Sequence, residues 1–272
     1  MSTRKPKASR IGPRVLAVGF LAAVLGAVGA ASPASATITL LEYVAIGDSY
    51  VSGVGAGDYQ DEECYRSDNA YPVQASDEIG EKLWFNACSG ATVDDVLADQ
   101  LDHLTDHTEH VTIGVGGNDA GFSSVLTACA GTDTELCLGA VDGARAYMTD
   151  QLPQSLDDLY TQVRDEADRA TVVVVGNPRL FGGDTCQGTL AITPEEQGEL
   201  NAAADLLAET TAAVAADHGF DFVDPRDAFA GHGVCSEDPW ILGYTGTLES
   251  FHPNEAGQDA YTDLVVPYLK YC

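Results

Sequence analysis

Basic side chains are scarce in this 272-residue chain: 13 Lys and Arg stand against 42 Asp and Glu. Five of those basic residues fall within the first 14 positions, so residues 37–272 carry eight basic and 42 acidic side chains, a formal charge of −34. A field of that sign repels nucleic acid and anionic membrane surfaces, which argues against a phosphate-binding role. Beyond Ala31 no apolar run is long enough to cross a bilayer, and no stable membrane insertion is expected. No Pro/Ser-rich linker or internal repeat divides the remainder, and 236 residues suffice for one domain with a sizeable core. Several motifs are also missing. No Gly-x-Ser-x-Gly surrounds Ser49, and Gly53-Val54-Gly55-Ala56-Gly57 runs into the acidic stretch Asp58–Glu63 rather than opening a helix, which excludes a dinucleotide loop. His103, His107 and His110 have no zinc-protease glutamate beside them, and a solvated helix end accounts for them.

What is present begins with a basic front, Arg4, Lys5, Lys7, Arg10 and Arg14, an apolar run from Val15 to Ala31 interrupted by glycines, and Ala34-Ser35-Ala36. This is the pattern of a secretory signal peptide over residues 1–36, with cleavage before Thr37 and an extracellular mature domain, 37–272. Seven cysteines suit that compartment and match no common zinc spacing. Cys129 and Cys137 flank a short segment that a bridge could close. Spacing leaves the other pairings open, with Cys272 as the natural odd one out.

Apolar, β-branched runs alternate with helix-compatible segments. Leu40–Ile46, Leu83–Ala87, Val111–Val115, Thr171–Val175 and Phe220–Val223 read as buried strands. Tyr71–Lys82, Thr92–Leu101, Gly139–Ala167, Pro194–Asp217 and Asn254–Lys270 read as helices. Thr193 followed by Pro194, Glu195 and Glu196 is a cap, a first-turn proline and acids at the positive dipole end. The alternation implies an α/β fold with a mainly parallel central sheet and helices on both faces, three layers in all.

In such a sheet, function gathers at the carboxyl ends of strands. Gly47-Asp48-Ser49-Tyr50 follows the first strand, Ser89-Gly90 the second, and Gly116-Gly117-Asn118-Asp119 the third. Phe251-His252-Pro253-Asn254 precedes the last helix. Ser49 offers a hydroxyl nucleophile, His252 a base, and Asn118 an uncharged amide donor for a developing oxyanion. Each segment alone is an ordinary turn or cap. Together they supply what ester hydrolysis needs.

These four blocks resemble those of the SGNH, or GDSL-type, hydrolases, most closely the secreted lipases and esterases of actinomycetes. Tyr50 stands where the usual motif has leucine. The resemblance implies a flavodoxin-like α/β/α fold and a cofactor-free, metal-free serine esterase or lipase. Ser49 and His252 would be catalytic, and an oxyanion hole would be formed by the N–H groups of Ser49 and Gly90 and the Asn118 amide. The family's aspartate three residues before the histidine is replaced by Glu249, so either this carboxylate or a main-chain carbonyl orients the ring. The resemblance also implies disulfides Cys64–Cys88, Cys129–Cys137 and Cys186–Cys235, and a monomer acting on a small-molecule or lipid ester. A polysaccharide O-deacetylase is the alternative enzyme. A silent carbohydrate- or lipid-binding protein is the rival from another class. Phe122, Leu126, Leu180, Phe181, Trp240, Ile241 and Leu242 are the apolar candidates for a lipid trough. An ordinary imidazole pKa at His252 would place the acid limb of activity at roughly pH 6 to 7.

Overall fold

The computed structural model describes residues 42–182 and 192–270. Five strands form one all-parallel sheet in the order β2-β1-β3-β4-β5: β1 Glu42–Gly47, β2 Lys82–Phe85, β3 Thr108–Gly114, β4 Thr171–Val175 and β5 Asp221–Val223. The valines of β4 are buried throughout, as a strand covered on both faces requires. Eight helices are described: α1 Ser49–Ser52, α2 Tyr71–Ile79, α3 Val93–Asp99, α4 Phe122–Cys129, α5 Thr134–Asp150, α6 Leu152–Glu166, α7 Pro194–Asp217 and α8 Glu255–Lys270. Helices α2 and α8 pack on one another and on the sheet, while α3, α5, α6 and α7 form the other layer. The result is the expected three-layer α/β/α sandwich.

Local chemistry explains where helices start. Thr193 and Glu196 form a reciprocal capping box at α7, with Pro194 in the first turn, and Thr92 with Asp95 does the same for α3. The single helix expected over Gly139–Ala167 is two. Pro153 has no N–H to continue a helix and sits in the opening turn of α6, so the chain breaks at Gln151 and restarts. Helix α4 was not anticipated. His110 is not at a helix end but buried in β3, where its Nδ1 meets the Glu81 carboxylate at 2.9 Å. His103 stacks on Trp84, and His107 is exposed.

The strand order reverses direction between β1 and β3, which opens a crevice at their carboxyl ends. At that point the two strands approach so closely that Gly47, at φ 144°, leaves no room for a side chain. A Cβ there would lie 2.2 Å from the Gly114 carbonyl oxygen and 2.7 Å from Val51. Gly47→Ala is therefore expected to cost about 3 kcal/mol or more, combining backbone strain with a steric clash. Urea unfolding of the variant against wild type measures it, and a loss below 1 kcal/mol would show that the strand ends can part.

Candidate active site

Ser49 is the first residue of α1, directly after β1, and is held from both sides. The Asp48 carboxylate accepts the Tyr50 N–H at 3.0 Å, and the Asp48 N–H donates to the Gly114 carbonyl on β3. Behind them the buried Gln100 amide accepts the Gly47 N–H at 2.7 Å and donates to the Gly47 carbonyl at 3.0 Å. Gln100 carries no sequence signal beyond being a polar residue at a helix end, and its part in fixing this turn becomes visible only in three dimensions.

His252 lies in the loop between β5 and α8, and its Nε2 is 2.7 Å from the Ser49 hydroxyl oxygen. On the other side of the ring, Nδ1 is 3.0 Å from the Ser250 carbonyl oxygen. A carbonyl can only accept, so Nδ1 carries the proton and Nε2 is the acceptor facing the serine. Of the two alternatives for orienting the ring, the geometry is that of the main-chain carbonyl. The Glu249 carboxylate does not hydrogen-bond the imidazole: it is engaged by the Tyr59 hydroxyl at 2.6 Å, while the Glu249 backbone carbonyl accepts the His252 backbone N–H. A longer side chain at the aspartate position is directed past the ring.

The carbonyls of this loop are aimed by an uncommon backbone. Phe251 is at φ 62°, in the left-handed region, and its carbonyl receives the Tyr50 hydroxyl at 2.7 Å. The Tyr50 ring also lies 5.2 Å from the imidazole. The tyrosine at the motif's leucine position thus joins the serine turn to the histidine loop, a role the sequence comparison alone did not suggest.

On the oxyanion side, the N–H groups of Ser49 and Gly90 have no hydrogen-bond partner among the described residues. Gly90 is exposed at φ 83° with open space where a Cβ would point. Asn118 uses one amide hydrogen on the Ala91 carbonyl at 2.9 Å, which ties the second and third motif segments together and leaves its other N–H available. The Asp119 carboxylate accepts the Val93 N–H, bracing the same junction. The disulfide Cys64–Cys88 fastens the loop after Ser49 to the Gly90 segment, reinforced by the Ser89 N–H on the Cys64 carbonyl. Cys129–Cys137 joins α4 to α5. Cys235 is disulfide-bonded, and its expected partner Cys186, like Cys272, lies outside the described residues.

Ser49, Asp48 and Asn118 open onto a cavity of about 710 Å³ including its mouth. Its walls are mostly apolar: Phe122, Val125 and Leu126 from α4, Met148 from α5, Leu200 and Leu207 from α7. Of the expected trough residues, Phe122, Leu126 and Leu180 line it. Phe181 and Ile241 are core, Trp240 packs on Phe229 and His232, and Leu242 lies by the Gly55 loop. Burial dominates the electrostatics. Desolvation lowers the His252 pKa to about 4, against smaller opposing effects of the Ser250 carbonyl, the Glu249 carbonyl and the Glu249 charge, and burial raises Asp48 to about 7.

Removal of the Tyr50 hydroxyl tests how much the histidine loop depends on it. Tyr50→Phe is expected to lower stability by about 1 kcal/mol, the usual worth of a buried hydrogen bond, and to reduce kcat more than it raises KM. An unaltered kcat would show that the loop holds its shape without this bond.

A GDSL-like lipase/acylhydrolase family model matches residues 45–260, nearly the whole of the described structure. A lipase of Streptomyces rimosus is 42% identical, over 88% of this chain and 91% of the relative. The crystal structure of the extracellular lipase from that organism superposes with a TM-score of 0.79 at 41% identity, covering 84% of this chain and 97% of the other. A phospholipase A1 from Streptomyces albidoflavus superposes equally well, with a TM-score of 0.79 at 41% identity over 85% and 98% of the two chains. The matched region includes the serine turn, the oxyanion-side segments and the histidine loop, and on these grounds the chain belongs to the GDSL-like lipase/acylhydrolase family.

Proposed function

We propose that residues 1–36 direct export and that the mature chain, 37–272, hydrolyses carboxylic esters of apolar acyl groups through an acyl-enzyme on Ser49. The observation that carries this reading is the 2.7 Å contact between Ser49 and His252 at the mouth of an apolar cavity. His252 Nε2 takes the hydroxyl proton as Ser49 Oγ attacks the ester carbonyl. The N–H groups of Ser49 and Gly90 and the free amide hydrogen of Asn118 receive the oxyanion. Collapse of the tetrahedral species expels the alkoxide, which is protonated by His252, and water repeats the sequence on the acyl-enzyme. The Ser250 carbonyl holds the ring in the competent tautomer.

The substrate class follows from the cavity. Its lining is mostly apolar, and an acyl chain laid along it gains about 0.8 kcal/mol per buried methylene, a gain that an acetyl group cannot make. That favours glyceride or phospholipid esters over acetylated polysaccharide. The lipase and phospholipase A1 names of relatives at 41–42% identity support the same direction. An acetylxylan esterase of Geobacillus stearothermophilus is similar in fold, but at 17% identity it lends no weight to the deacetylase alternative. That the similar Streptomyces rimosus lipase is extracellular supports export. No helix among the described residues is long and apolar enough to cross a membrane.

Hydrolysis of p-nitrophenyl esters from acetate to palmitate tests the reading directly. The expected kcat/KM for octanoate and longer esters exceeds that for acetate by about tenfold or more, a small part of what several buried methylenes could supply. Ser49→Ala is expected to lose about 10³-fold or more. Preference for acetate would move the assignment to a deacetylase, and undiminished turnover in the variant would remove Ser49 as nucleophile.

The lowered pKa of His252 revises the expected acid limb. The base is active when neutral, and with its pKa pushed down to about 4 it stays neutral through the ordinary imidazole range. The profile of kcat/KM against pH is therefore expected to hold its plateau from neutrality through pH 6 and to fall only as pH approaches about 4. A limb centred between 6 and 7 would show that the ring is better solvated than its surroundings indicate.

A further inference from the structure

Glu249 occupies the family's aspartate position, yet its carboxylate leaves the imidazole and crosses to another segment. There it accepts the Tyr59 hydroxyl proton at 2.6 Å, and the same hydroxyl oxygen accepts the Gly55 N–H at 2.9 Å. These three groups form a chain from the histidine loop to the loop that follows the serine helix. Both ends lie against the reacting pair. A side chain on Gly55 would come within 2.6 Å of the Pro253 carbonyl and 3.2 Å of the His252 Cβ, so this backbone packs directly on the histidine. Glu249 precedes Ser250, whose carbonyl holds Nδ1.

The backbone of residues 251 and 252 is paired with Leu242, and the turn before it, residues 244–250, is held mostly by its own side chains. Ser250 Oγ donates to the Thr247 carbonyl and accepts the Thr245 N–H, and the Glu249 N–H donates to the Thr247 hydroxyl. These bonds shape the turn but do not anchor it. Tyr50 anchors it at Phe251, on the inner side. The Tyr59–Glu249 contact is the anchor on the outer side, where residues 244–248 are exposed. The Tyr59 hydroxyl, raised to about pKa 12 by burial and by its carboxylate partner, remains a donor throughout the working pH range.

We infer that Tyr59 and Glu249 are positioning residues, a hydrogen-bonded latch that clamps the histidine loop onto the Gly55 loop and so holds His252 at bonding distance from Ser49. This rests on the reading of Ser49 and His252 as the reacting pair. The carboxylate at position 249 acts chiefly through an accepted hydrogen bond, its charge reaching the imidazole only as the smallest of the effects on that ring. Glutamine, whose side-chain oxygen can accept the same bond, therefore substitutes for it, while alanine does not. Displacement of a catalytic group by a fraction of an ångström slows chemistry while leaving intact the ground-state binding of the acyl chain against α4, α5 and α7, which the histidine loop does not line.

The test is a cycle of Tyr59→Phe, Glu249→Ala, Glu249→Gln and the Tyr59→Phe/Glu249→Ala double variant. It reads kcat and KM on p-nitrophenyl octanoate and the rate of Ser49 labelling by a fluorophosphonate. Tyr59→Phe and Glu249→Ala are each expected to lower kcat and the labelling rate about tenfold with KM within about twofold of wild type. The double variant is expected to be no slower than the slower single one, as two ends of one contact require. Glu249→Gln restores most of the loss. Full activity in Tyr59→Phe, or a Glu249→Gln enzyme as slow as Glu249→Ala, would overturn the latch, the latter by showing that charge is what matters. If Glu249→Ala fails to fold, the contrast between a slow Tyr59→Phe and a near-normal Glu249→Gln decides alone. His252→Ala runs beside them: labelling at the wild-type rate in that variant would sink the reacting-pair reading and the latch's purpose with it. A dead His252→Ala beside a fully active Tyr59→Phe sinks the latch only.

Discussion

A hydrogen bond between two side chains 203 positions apart, His252 Nε2 to Ser49 Oγ, sets the requirements that much of this structure meets. Such a bond is weak on its own, and each partner belongs to a loop with many other conformations open to it. The serine turn is therefore fixed by what surrounds it. The close pass of Gly47 against Gly114, the two bonds from Gln100 and the Asp48 contact to Gly114 leave α1 one place to start. The histidine loop is fixed differently. It has no strand beneath it, so it is held by backbone bonds between Leu242 and residues 251 and 252, by the Tyr50 hydroxyl, and by its own threonine and serine side chains. Positive φ at Phe251 is a strain that only this surrounding set of contacts sustains.

Burial of the pair then dictates its electrostatics. Excluding water strengthens the contact and removes solvation from any charge formed there. His252 and Asp48 respond in opposite directions, and so do their contributions to stability. With a folded pKa of about 4 against an ordinary 6.5, His252 contributes fully above pH 6.5, and its contribution is lost as pH falls toward 4. Asp48, raised from 3.8 to about 7, favours the folded state while protonated, and that contribution is lost as pH rises through the interval to 7. Across most of that shared window the two groups work against each other. At neutral pH His252 is uncharged, and Asp48, near its pKa, trims the strong negative charge of the chain by only a fraction of one unit.

The layers were legible in the sequence because burial on both faces of a parallel sheet demands continuous β-branched runs, and Thr171–Val175 satisfies that demand in the chain alone. The capping box at Thr193 was legible for the same reason: its chemistry is local. What escaped was whatever depends on a distant partner. Residues 139–167 have helical composition on both sides of Pro153, and the break was overlooked because composition averages over it. His110 was assigned to a helix end because histidine spacing was weighed there, while the β-branched context that places it in β3 begins one residue later. Motif alone singles out Ser49, His252, Gly90 and Asn118 as candidates, but the engagement of Asn118 with Ala91 and of the Tyr50 hydroxyl with Phe251 requires the fold. Glu249 is the clearest case. Spacing put a carboxylate in the right place along the chain, and spacing says nothing about which way it points.

That direction has a chemical consequence for the proposed base. A carboxylate on Nδ1 would stabilise the imidazolium as a full opposite charge, whereas a peptide carbonyl offers only a dipole. The carbonyl also needs no desolvation of a second ion, so the site can be closed and apolar without stranding a charge. Burial lowers the His252 pKa and the carbonyl dipole offsets only part of that, so the ring is a weaker base and by the same token a stronger acid once protonated. Ester hydrolysis can use that exchange. The alkoxide leaving group must be protonated, and an imidazolium with little to stabilise it gives up its proton readily. Removal of the serine proton is the harder half, and its burden falls on the oxyanion donors. The N–H groups of Ser49 and Gly90, without a partner among the described residues, are on the proposed mechanism the counterpart of a carboxylate on Nδ1: stabilisation withheld from the cation would be placed where the negative charge develops.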